Sequence, residues 1–257
     1  MHKVSVPVDV NVVRANGTVN ADDSVLNEMR FEIPNKNVLM KNDLAILNII
    51  AANKWKRPIY FTMPYNDLGF QNYLRKDGMA YRLVPVENPQ VNTNKTYGLI
   101  TNTKKLGYGN ANLPNVYLDE INRSELLGIR KADLELAFDL ISRNRKDEAR
   151  KVLEQDDRMI LQENLPYGMT SRNNNHNSMS IGFLEACYNV DAKELAAKVS
   201  VSVKKDLQQQ QQYYASLDDV KKANLQYEYS TTQNLMNALN EMEKKYGAKN
   251  NNHPALQ

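Results

Sequence analysis

Cysteine is nearly missing from this chain. Cys187 is the one thiol in 257 residues, so no disulfide can close within the chain and cysteine usage leaves the redox compartment open. It stands in an apolar helical pattern with Phe183, Leu184 and Tyr188, which predicts a small buried hydrophobe. Histidine is almost as scarce. His2 and His253 lie near the ends and His176 sits in an Asn-rich stretch, none at ligand spacing from a second histidine or the cysteine. No metal site is therefore expected. Also missing are GxSxG, a P-loop and a strand-borne GxGxxG, so no cofactor is implied. Adjacent carboxylates occur at Asp156-Asp157 and Asp218-Asp219, but helical neighbours point apart, which predicts solvated faces.

Charge of one sign is lacking too. The 33 basic and 30 acidic residues leave a net charge of +3, which implies no nucleic-acid partner. The densest basic spots, Lys104-Lys105 and Arg143, Arg145 and Lys146, fit solvated turns. No apolar run spans a bilayer, since Leu44–Ala52 is short and interrupted by Asn48. The first residues, MHKVSVPVDV, have no signal-peptide core and enter β-like alternation at once, which reads as a piece of a longer protein.

What is present divides into two halves, an α+β chain overall. Val4–Val13 and Arg30–Ile33 read as strands around an Asn16-Gly17 hairpin signal. From Lys41 the sequence KNDLAILNIIAANKWKRPIYFTMPYNDLGFQNYLRKDGMAYRLVPV predicts a helix capped by Asn42 or Asp43 and stopped before Pro58. A strand over Ile59–Thr62, a short helix over Phe70–Arg75, a left-handed stop at Gly78 and a strand over Ala80–Val84 follow. That order predicts a small α/β layer with a mixed sheet and parallel neighbours, over residues 1–115. Tyr97–Ile100 is the candidate strand of the polar stretch that follows. Residues 116–249 read as an all-α, TPR-like domain. One hairpin carries Leu134, Ala137, Phe138 and Ile141, then Ala149, Val152 and Leu153. A second carries Ile181, Leu184 and Tyr188, a turn at Asn189–Asp191, and Leu195, Ala196, Val199 and Val203, with 161–177 inserted between the two. Ser216-x-x-Asp219 suggests a capping box before a last helix with Leu235, Leu239, Met242 and Tyr246 on one face. Gln208–Gln212 reads as a solvated face, and residues 250–257 as a disordered tail.

Two groups of residues carry candidate chemistry. Trp55, Arg57, Tyr60, Tyr81 and Arg82 bunch aromatic rings and guanidinium groups, a combination that suits sugars or carboxylates. Their structural alternative is Trp55 stapling the helix end to the sheet and Arg57 pairing with Asp43. On the helical half, Arg130, Asp133 and Glu185 are the polar positions expected on a docking face. Tyr117-Leu118-Asp119-Glu120 can cap the first long helix or dock at the junction.

The Lys41–Val86 segment, with KKLGYGN at Lys104–Asn110, VYLDE at Val116–Glu120 and the hairpins to about Val199, resembles the post-membrane region of a bacterial family of polytopic proteins. That family, formerly a domain of unknown function, is similar to protein O-mannosyltransferases and GT-C glycosyltransferases. Asn189-Val190 departs from the glycine turn of its pattern. The resemblance implies a non-catalytic, periplasmic region at the end of a membrane glycosyltransferase. Its partners would be the membrane-embedded part of the same polypeptide and an acceptor protein or peptide. The rival readings are a free-standing ligand-binding or enzymatic α/β domain and a pure TPR-type scaffold. Asp23-Ser24-Val25 matches a short bacterial O-glycosylation pattern, in agreement with export.

Overall fold

The computed structural model describes residues 2–250 apart from Asn35, Asn37, Gln90 and 103–105. The Lys104-Lys105 pair, His253 and the tail expectation for 251–257 lie outside the described residues. The chain is α+β and divides into two compact units, one ending at Leu99 and one beginning at Ile100, whereas the expected boundary stood at 115.

The first unit holds β1 (His2–Pro7), α1 (Val10–Ala15), β2 (Glu28–Ile33), α2 (Lys41–Asn53) and β3 (Tyr60–Phe61). A 3₁₀ turn (Gln71–Tyr73), β4 (Leu74–Asp77), β5 (Ala80–Leu83) and α3 (Thr93–Ile100), whose last residue begins the second unit, complete it. Both sheets are antiparallel. One pairs β1 with β2, the other has the order β3-β5-β4. The expected mixed sheet with parallel neighbours is corrected by the connections, because β4 and β5 are joined by a tight turn at Gly78 (φ +73°), which an antiparallel hairpin needs and a crossover does not. Gly78 thus turns a hairpin instead of ending a helix, and most of the span expected to be helical is the 3₁₀ turn and β4.

Further corrections belong here. The strand expected to run to Val13 stops at Pro7, because the Asp9 carboxylate accepts hydrogen bonds from the Asn11 and Val12 N–H groups and caps α1. Asn16-Gly17 therefore ends a helix and joins no hairpin. Tyr97–Ile100 belongs to α3, not to a strand. In α2 the N-cap is Met40, not Asn42 or Asp43 as expected; Asp43, three residues on, reaches back so that its carboxylate accepts from the Met40 N–H at 2.9 Å. The core follows the β2 alternation: Met29, Phe31 and Ile33 face in and pack with Phe70, Leu68, Ile50 and Trp55.

The second unit is helical: α4 (Glu120–Ser142), α5 (Lys146–Met159), α6 (Asn175–Asn189), α7 (Lys193–Ala215), α8 (Asp219–Asn224) and α9 (Gln226–Asn250). Asp119 caps α4 through the Asn122 N–H at 2.8 Å, so the VYLDE segment does cap the helix. The α4–α5 and α6–α7 hairpins form as expected. They turn through Asn144 and Asp191, both left-handed (φ 62° and 57°), a conformation Asn and Asp tolerate better than other side chains. Asp191 thus serves where a glycine would be usual. On α4, Leu136, Ala137 and Leu140 are fully buried beside the buried Leu126, Ile129, Ala132 and Leu134, while Phe138 and Ile141 are only half-buried. The cap expected at Ser216 is instead Asp218, whose carboxylate accepts from the Lys221 N–H, and Ser216 closes α7. Cys187 is buried, and burial pushes its thiol pKa up.

Candidate functional site

A groove of about 590 Å³ in the helical unit opens where α5 meets the α6–α7 turn and the first turns of α7. Local sequence explains its walls. On α5, Arg150, Glu154, Asp157 and Arg158 are spaced i, i+4, i+7, i+8, so they share one face, opposite the apolar Val152 and flanked by Leu153, both buried into the unit. The turn through Asp191 swings Lys193, Glu194 and Lys198 of α7 against that face. Arg150 reaches the Val190 carbonyl, with its Nε at 2.9 Å, and so places a cation at the C-terminus of α6 where the helix dipole favours one. Lys198 Nζ meets Asp157 Oδ1 at 2.6 Å, and the Tyr167 hydroxyl donates to the same oxygen at 3.1 Å. The wall thus carries four cationic and four anionic side chains.

A smaller recess of about 200 Å³ shares Asp191, Ala192 and Lys193 with the groove. It is built on Tyr188 stacked on Tyr246, with centroids 4.6 Å apart and planes 6° from parallel. The Tyr246 hydroxyl donates to Asn189 Oδ1 at 3.1 Å. Mixed charge beside an aromatic step suits an extended polypeptide of mixed composition.

The candidate residues from sequence fall elsewhere. Arg130 and Asp133, expected on the surface, are fully buried on α4. Arg130 Nε donates to Asp156 Oδ2 at 3.0 Å, Nη1 donates to the Leu165 carbonyl, and the guanidinium lies 4.4 Å from the centre of the Tyr167 ring. Burial, then the neighbouring Asp156, pushes the Asp133 carboxyl pKa well above the usual carboxylate range, and Arg130 opposes that shift. Asp156 is likewise interior, which corrects its reading as a solvated face. His176 is fully buried in α6, where burial lowers its pKa. Gln210 is also inside, donating to Asp206 Oδ2 at 2.6 Å, so the glutamine run is not wholly solvated. Glu185 is half-buried on α6.

In the first unit the aromatic and guanidinium cluster is split. Trp55 is buried and its Nε1 donates to the Pro7 carbonyl at 2.8 Å, the staple expected. Arg57 is exposed, and Asp43 pairs with Lys36 at 2.8 Å, which corrects the proposed Arg57–Asp43 pair. Tyr60 and Arg82 are cross-strand partners, so they share a face, while Tyr81, next along β5, takes the other. Arg82 is buried, its Nη1 donating to the Gly17 carbonyl and its Nη2 to Thr18 Oγ1. Tyr60 donates to Asp77 Oδ2 at 2.8 Å beside Lys95. Asp23 of the Asp-Ser-Val triplet accepts from the buried Arg75 at 2.7 Å. Sequence reasoning passed over the α5 face, although its charged spacing was the signal that could have found it.

Residues 1–103 match the family model described as TMEM260-associated domain 2, which is consistent with a domain of a membrane-protein family. The match takes in the first unit and leaves nearly all of the helical unit outside. No curated protein and no solved structure matches the chain. Among the described residues no helix is long and apolar enough to cross a membrane.

Proposed function

We propose that the chain is a non-catalytic, extramembrane region of a membrane glycosyltransferase-like protein, and that its helical unit holds acceptor polypeptide in the groove beside α5 and α7. Membrane-protein association is supported by the match over 1–103. The glycosyltransferase part, and with it a periplasmic position, rests on the resemblance from Lys41 to about Val199. The observation that carries the docking role is the open, eight-charge groove itself. Exposed ion pairs contribute roughly 0.2–1 kcal/mol each, so a few such contacts capture a chain weakly and release it quickly. Weak capture is what a region serving many acceptors and freeing product requires.

The test is a photo-crosslinking side chain placed at Glu194 in the full-length protein, in cells that export glycosylated polypeptides. Adducts with exported polypeptides at Glu194, and none from a probe at exposed Lys131 on α4, are expected. Equal labelling from the two positions, or none from Glu194, would refute acceptor docking in the groove.

A further inference from the structure

A second surface lies in the first unit, on α2. A helix that packs on one side in a water-soluble protein is ordinarily polar on the other. α2 is not. Its inner side buries Ile50 with Ile46 and Leu47 partly covered, yet Leu44 and Ile49 on its outer side are 47% and 56% exposed. At 100° per residue, exposed Lys41, Leu44, Ala45, Asn48, Ile49 and Ala52 fall in one arc. Val38 and Met40, in the segment leading into the helix, extend the exposed apolar surface at 70% and 62%.

Within the segment that carries this face, the exposed charges have one sign. Between Val38 and Pro58 the exposed ionic residues are Lys41 at one end and Lys54, Lys56 and Arg57 at the other. The sole acid in that span, Asp43, is buried and paired with Lys36. The end of the helix sets this arrangement. Lys54 and Trp55 both adopt left-handed backbone (φ 48° and 61°), which turns the Trp55 ring inward onto Pro7 and leaves the lysines on either side outward. A groove of about 450 Å³ runs along the same half of α2, with Val6, Pro7 and Val12 opposite Ala51 and with Lys54 and Lys56 among its lining. Its one acid, Asp9, is engaged in capping α1.

We infer that the outer face of α2 lies on an anionic lipid bilayer, its leucine and isoleucine side chains in the headgroup boundary and its lysines on phosphate oxygens. A face meeting a folded protein ordinarily carries both signs at its rim, as the α5 groove does. A cationic rim around an exposed apolar stripe is the pattern of a helix lying in a lipid interface. At 13 residues α2 is too short to span a bilayer, so it lies on the surface. The inference concerns a unit separate from the α5 groove and needs no acceptor.

The experiment is sedimentation of the whole chain with vesicles of phosphatidylglycerol and phosphatidylcholine, against vesicles of phosphatidylcholine alone. Binding to the anionic vesicles that weakens as salt rises is expected. Leu44→Gln with Ile49→Gln, and separately Lys54→Gln with Lys56→Gln, should each weaken it by about tenfold or more. Trp55 fluorescence checks that the unit stays folded. If the apolar pair does not fold, the lysine pair decides. Equal binding to both vesicle types, binding unchanged in the lysine pair, or a chain dimer that the apolar substitutions dissolve would overturn the inference.

Discussion

Arg130 offers the sharpest quantitative test of how the helical unit is held together. Its guanidinium is fully buried, bonded to Asp156 and to the Leu165 carbonyl, and packed on Tyr167. Asp133 stands one helical turn away, also fully buried, with its carboxyl beside that of Asp156. Arg130→Met keeps the stem and removes the charge. It strands the Asp156 carboxylate in the interior, a loss of about 3–5 kcal/mol. Replacing both partners, Arg130→Met with Asp156→Leu, removes the stranded charge and should recover most of that loss. Urea unfolding separates the units cleanly. The single tryptophan, Trp55, reports on the first, while helical circular dichroism reports mainly on the second. With a slope of about 2 kcal/mol per molar urea, the single variant should lower the helical midpoint by roughly 1.5–2.5 M and leave the Trp55 transition in place. A single variant costing under about 1 kcal/mol, or a double variant as unstable as the single, would refute the account of a buried pair.

Asp133→Asn tests the same interior through pH. The folded-state pKa of Asp133 is raised, so the native form binds its proton more tightly than the unfolded chain does. Its stability contribution is complete below about pH 4 and is lost as pH rises towards the folded pKa; the Asn variant should flatten that fall in pH-dependent unfolding. Arg57→Ala should change stability by no more than about 0.5 kcal/mol, because the side chain is exposed, whereas Trp55→Ala should cost about 3–5 kcal/mol; thermal unfolding checks both. Gly168→Ala should destabilise the helical unit by about 1–3 kcal/mol, since its Cβ would lie 2.2 Å from the Ser202 carbonyl oxygen; chemical unfolding reads the loss.

The α+β class and both helical hairpins were legible because long apolar periodicities report burial, as at Val199 and Val203, although on α4 it is Leu136 and Leu140, not the expected Phe138 and Ile141, that are fully buried. Sheet pairing was not. Periodicity marks a strand but not its partner, and the short β3 and β4 are defined by what they pair with. The interior ion pair was hidden for a related reason. Arg130 and Asp156 are 26 positions apart, and each alone looks like an ordinary surface charge. The α5 face was legible in principle, as charge at helical spacing, but only the fold shows that α7 closes it into a groove.

The docking claim is tested most directly by glycosylation itself. In the full-length protein, Arg158→Glu with Lys193→Glu reverses two exposed charges of the groove, so protein level should stay normal. Glycosylation of exported acceptors, scored by glycan-shifted mobility, is predicted to fall while the level of the protein holds. Full glycosylation in that variant would contradict the claim that this groove presents the acceptor.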